Sequence, residues 1–180
     1  MGEFQTFYKL GLTHILDTNG YDHIVFVIAL CALYQAEDWK RVLVLVTSFT
    51  VGHSITLALS TLSIINVDSD LVEFLIPVTI FITAIANLFA KTETNHVSIR
   101  NYVFALFFGL IHGLGFSNYL KSLLGKDQQI IQQLFAFNVG LEVGQIIIVA
   151  AFLTVGFLVV GLFGASRRDW KMIISSAVAG

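Results

Sequence analysis

Charge is what this sequence has least of. Asp, Glu, Lys and Arg make up 12% of its 180 residues, about half the share usual in a soluble domain, which excludes an ordinary water-facing surface. No Lys or Arg stands in the middle of any long apolar run. A basic surface for nucleic acid is therefore missing, and a net charge of −2 points to no charged partner. The single cysteine, Cys31, excludes an intrachain disulfide. No GxxxxGK[ST] loop is present, so the chain carries no P-loop with which to couple ATP to its work. The N-terminus lacks the basic flank, apolar stretch and small-residue cleavage site of a signal peptide, so it is expected to be retained.

What is abundant is apolar residues, 56% of the chain, in long runs separated by short polar breaks. A helix needs ~20 such residues to cross ~30 Å of hydrocarbon, and continuous rather than alternating runs favour helices over a barrel. The expected fold is all-α, a polytopic helical membrane protein with about six transmembrane helices: 22–36, 41–63, 71–90, 101–120, 130–163 and 170 onward. The sixth run stops at Gly180, short of a span, which fits a chain that is cut there or continues. Residues 1–20 are expected to form a short interfacial helix, with Phe4, Phe7, Tyr8, Leu10, Leu12 and Ile15 around it. One integral membrane domain covers 1–180, with 21–180 as the helical bundle.

Orientation follows from basic residues, which cytoplasmic loops retain. Lys40, Arg41, Lys91, Arg100, Arg167, Arg168 and Lys171 fall in the first, third and fifth loops, against Lys9, Lys121 and Lys126 on the other side. The N-terminus is expected outside, in an inner or plasma membrane. Ionisable groups within spans cost at least ~2.5 kcal/mol at the bilayer centre, which makes each a candidate for function. By depth, at ~1.5 Å per residue, Asp22, His23, His53, His112 and Glu142 reach one outward-opening cavity and are the expected metal ligands, since imidazole and carboxylate suit Zn, Ni and related ions. Asn138, Glu142 and Gln145 share a helix face. Secondary candidates are His14, Glu73, Asn138 and Gln145; His96 falls in the polar loop KTETNHVSIR, where a solvated role is expected. Glycines four apart flank His112 in GLIHG and Glu142 in GLEVG, which allows close helix packing. The plainer alternative is that each intramembrane His is a hydrogen-bonded packing residue, and that Glu73 caps its helix.

The segments GLTHILDTNGYDHIVFVIAL, TSFTVGHSITLAL, FGLIHGLGF and NVGLEVGQ, in this order, resemble the HupE/UreJ family of hydrogenase and urease accessory membrane proteins. The resemblance implies six to seven membrane helices and a link to nickel or cobalt uptake. It carries the family's His and Asp-His pattern onto His14, Asp22 and His23.

Two functions stand side by side. The first is a divalent metal transporter or facilitator, driven by a gradient or by trapping on a cytoplasmic metallochaperone, with a homo-oligomer as a further expected partner. The second is a zinc-type intramembrane hydrolase, in which the ion activates water and an acid serves as base. Transport needs polar residues continuing inward. Below His53 and His112 the sequence offers chiefly Thr47, Ser48 and Asn87 for that path.

Overall fold

A computed structural model describes residues 2–90, 99–124 and 130–180. The described residues are helical throughout: α1 (Glu3–Ile15), α2 (Asp22–Cys31), a 3-10 turn (Ala36–Asp38), α3 (Trp39–Thr61), α4 (Ser69–Phe89), α5 (Ile99–Gly115), α6 (Ser117–Leu124), α7 (Ile130–Gly156, continued by a π-type segment Phe157–Leu162) and α8 (Arg167–Ala179). Lys91, His96 and Lys126 lie outside the described residues.

Six spans were expected, and three to four are found. Among the described residues three helices are long and apolar enough to cross a membrane, 36–61, 69–89 and 130–162, and a fourth results if α5 and α6, bent by 48°, count as one. The first expected run fails because its helix is only ten residues long, about 15 Å or half the hydrocarbon thickness. The chain turns at Tyr34 and Gln35, where Asp38 accepts from the Gln35 backbone N–H at 3.3 Å. The sixth fails because Arg167, Arg168, Asp169 and Lys171 occupy the first turns of a thirteen-residue helix. Lys171 is buried there, donating to the Ala90 carbonyl at 2.6 Å, which satisfies the end of α4 and docks α8 against it.

Two glycine-mediated contacts organise the bundle. A Cβ on Gly109 would collide with the Phe49 carbonyl and one on Gly113 with the His53 carbonyl, so α5 lies backbone to backbone on α3. In the same way Gly11 meets Phe137 and Gly140 meets Tyr8, which presses α1 along the first half of α7. The order of contacts, Glu3 with Gln133 and Ile15 with Gly144, makes α1 and α7 parallel. α2 then continues past a break at 16–21, and its Ala29 carbonyl accepts from Asn87 near the end of α4 at 2.7 Å. α1 and α2 therefore run in one sense with an irregular stretch between them. Non-helical backbone at such a place is tolerated where protein or a cavity covers it.

The exterior is apolar, with Val44, Ile55, Phe81, Phe104, Phe107 and Ile147 exposed. Two hydroxyls of α3 are answered within the helix, Ser48 on Val44 and Ser54 on Thr50, each at 2.7 Å. An apolar outside with internally satisfied polar groups is what lipid demands.

Candidate metal centre

The break after α1 and the bend after α5 meet at one cavity of about 200 Å³. His14, Asp17, Gly20, Asp22, His23, Glu73, Ile76, His112, Gly115 and Phe116 line it. Each histidine arrives for a local reason. His14 is in the last turn of α1 and His23 in the first turn of α2, so the break carries both to its edge. His53 and His112 come from α3 and α5, held level by the contact of Gly113 with the His53 backbone.

His23 is the centre of the group. Its ring lies 4.7 Å from His14, 5.2 Å from His112 and 6.0 Å from His53, centroid to centroid, and His14 to His53 is 6.2 Å. Two sets of three side chains can each bring their ligand atoms within 4.8 Å of one another: His14, His23 and His53, and Asp22, His23 and His112. The Asp22 carboxylate sits 3.4 Å from His23 Nδ1.

The hydrogen bonds leave these rings with unused nitrogens. Thr79 Oγ1 donates its one proton to the Ile76 carbonyl at 2.7 Å. The 3.0 Å contact between Thr79 Oγ1 and His112 Nε2 then requires the ring to donate, which puts the lone pair on Nδ1. That Nδ1 is buried without a partner, as are His14 Nε2, His23 Nε2 and both nitrogens of His53. A buried polar atom left unpaired costs about 1–3 kcal/mol, so five of them in one place call for something that binds imidazole. A divalent ion fits that donor set, and Thr79 supplies the outer hydrogen bond that orients a ligating ring. Phe26, Phe49, Phe116 and Phe137 pack around the histidines, with Phe116 4.0 Å from His14 and Phe26 4.9 Å from His112. Their bulk keeps water from the far side of the rings.

Of the residues singled out from sequence, Asp22, His23, His53 and His112 come together, joined by His14, and Glu73 lines the same cavity. Glu142 stands apart, outside both sets; its carboxylate accepts from Thr47 Oγ1 at 2.5 Å. Gln145 accepts from Thr50 Oγ1 at 2.7 Å and Asn138 donates to the Leu134 carbonyl at 2.8 Å, both on the seam of α7 rather than on the cavity wall. Sequence reasoning missed Asp17, Thr79 and Phe116. Asp17 carried a signal, an acid in the DTNGYDH break, whereas one threonine in the apolar α4 carried none.

Compared with known protein families, the chain matches the one described as HupE / UreJ protein over residues 1–180. It belongs to the HupE/UreJ family. No curated protein and no solved structure matches it. Membership of HupE/UreJ and the apolar helices together indicate a membrane protein, and the histidine and aspartate sets are compatible with a metal site. Within this HupE/UreJ chain, His14 on one side and Asp22 with His23 on the other occupy the two helix ends that flank the break.

Proposed function

We propose that this protein carries a divalent cation of the nickel or cobalt type across a membrane, taking it up at the histidine cavity. The observation that supports this reading most is the clustering of five buried, unpartnered imidazole nitrogens around His23, with the Asp22 carboxylate 3.4 Å from that ring. Imidazole suits nickel, cobalt and zinc alike, and the family's link to nickel and cobalt handling selects among them. Asp17, Asp22 and Glu73 at the cavity would concentrate cations there. The proposed setting is an inner or plasma membrane with the N-terminus and the cavity on the extracytoplasmic side, and a cytoplasmic metallochaperone or a second copy of the chain as partner. In it α1 runs beside the first half of α7 rather than lying flat in the interface as expected from its sequence.

The test is uptake of nickel(II) or cobalt(II) into proteoliposomes bearing the purified protein. Uptake that saturates and is lost in His23→Ala supports transport; equal uptake by protein-free vesicles overturns it. One observation favours the second reading, a zinc-type hydrolase: Glu73 lines the cavity yet belongs to neither ligand set, the place of a general base. That reading expects one tightly held zinc in the purified protein and no transport.

A further inference from the structure

The five side chains of the centre do not form one ligand shell. Ligands on a single ion at ~2 Å lie within about 4 Å of one another; among the described residues the groups whose ligand atoms approach this, all within 4.8 Å, are the two sets of three. The sets share His23 and nothing else. They also differ in access. Asp22, His23 and His112 all line the cavity; of the other set His14 and His23 line it too, whereas His53 does not and is fully buried, with both ring nitrogens unpartnered.

We propose that the centre is two overlapping cation positions sharing His23 and filled one at a time, an ion passing from Asp22, His23 and His112 at the cavity wall to His14, His23 and His53 behind it. This rests on the transport reading above. Simultaneous filling is opposed twice. His23 would have to bind through both nitrogens, which requires loss of its remaining ring proton. Four positive charges would also face the one carboxylate of the two sets, Asp22, in an apolar enclosure of phenylalanine rings. Alternate filling avoids both. One bond, to His23, persists while a carboxylate and an imidazole are exchanged for two imidazoles, so the ion is never bare. Conduction needs binding that is favourable enough to enter and divided enough to leave, and a shared ligand provides that division. The exchange also moves the ion from a set with one anionic ligand to a neutral set, which fits an inner position that holds it less firmly.

The experiment uses the full chain in detergent with nickel(II) alone, reading stoichiometry by equilibrium dialysis and the number of imidazole ligands by X-ray absorption. The wild type is expected to hold one nickel per chain. His112→Gln is expected to keep one nickel with three imidazoles, and His53→Gln one nickel with two imidazoles and a carboxylate. Each loses less affinity than His23→Ala because one position survives and association constants of alternative positions add. His53→Gln, which removes the weaker position, loses about twofold at most, and His112→Gln, which removes the one with the anionic ligand, loses more. Both slow uptake in proteoliposomes, since each leaves a single position. His23→Ala removes both positions, a loss of about a hundredfold or more. Two nickel ions per wild-type chain overturn the proposal. So does a loss in His53→Gln and His112→Gln as large as in His23→Ala, which means one composite site and leaves the transport reading standing. Absence of any nickel from the wild type overturns the transport reading and this proposal together. Should the glutamine variants fail to fold, the wild-type ligand count still decides: two or three imidazoles on the bound nickel fit positions filled one at a time, and four imidazoles fit one composite site and overturn the proposal.

Discussion

Two polar regions lie inside this apolar bundle, and they are built on opposite terms. At the cavity, imidazoles from α1, α2, α3 and α5 crowd together with their nitrogens unanswered by protein. Along the seam of α3 and α7, Thr47 answers Glu142 and Thr50 answers Gln145, hydroxyl to side-chain oxygen, at 2.5 and 2.7 Å. The first region is incomplete without a ligand. The second is answered across the helix pair at one atom of each residue, as in a packing contact between membrane helices, while Glu142 Oε2 and Gln145 Nε2 stay buried without a partner. The difference teaches that depth alone does not bring a residue to a cavity: Glu142 lies in neither ligand set and does not line the cavity, and its carboxylate meets Thr47 instead.

The sharpest way to break this contrast is at His23, the one residue in both ligand sets. His23→Ala should abolish nickel(II) binding, by about a hundredfold or more in affinity, in an equilibrium dialysis measurement. Retained binding would show that the rings are packed for their own sake and that the two regions do not differ in kind. Next comes the frame that holds His53 against His112. A side chain on Gly113 would meet the His53 carbonyl and Thr56 Oγ1, so Gly113→Val should separate α3 from α5. A cost of about 1–3 kcal/mol is expected for such overpacking, read as a lower midpoint in thermal or denaturant unfolding in detergent, with weaker metal binding in the same sample. An unchanged midpoint would mean that the helices part without penalty.

A smaller effect is expected at Thr79, which touches no ion and acts by fixing which nitrogen of His112 carries the proton. Thr79→Val keeps the shape and removes the hydrogen bond. Nickel affinity should fall about tenfold, the range for losing an outer partner of a ligating histidine, while the imidazole count of bound nickel is preserved. Thr79→Ser should restore the affinity. If Thr79→Val binds as the wild type does, His112 is oriented by its aromatic neighbours instead.

Much of this was legible in the sequence, and the omissions have physical causes. Hydropathy marks α3, α4 and α7 because an apolar run of that length has one stable arrangement in lipid. It counted 22–36 as a span because it sums transfer energies and does not register where a helix stops; the turn at Gln35 depends on one backbone contact with Asp38. Histidines in apolar helices stand out by their cost, which singles out His23, His53 and His112, and the fold brings them into two adjoining groups. His14 was ranked lower because its helix is too polar to span alone, and its burial against α7 depends on Gly11 and Gly140 meeting backbone to backbone. Azimuth was the weakest inference. Spacing of three and four tells which residues share a face, and it does not tell which neighbour that face meets.

Glu142 is where azimuth decides function, and its prediction is the smallest and most discriminating. With the carboxylate accepting from Thr47 and lying outside both ligand sets, Glu142→Gln removes charge and keeps an oxygen to accept the same hydrogen bond. Nickel(II) binding should be unchanged, and stability should move by no more than about 1 kcal/mol, the net worth of one hydrogen bond. Uptake is the informative readout, because Glu142 on α7 and Thr47 on α3, the helix of His53, stand about one helical turn from the Thr50–Gln145 contact. Binding intact with uptake intact makes the seam structural. Binding intact with uptake lost makes Glu142 a relay on the inward path, and the two polar regions become successive parts of one passage. Binding lost with the fold intact would return Glu142 to the ligand shell and remove the contrast between the two regions altogether.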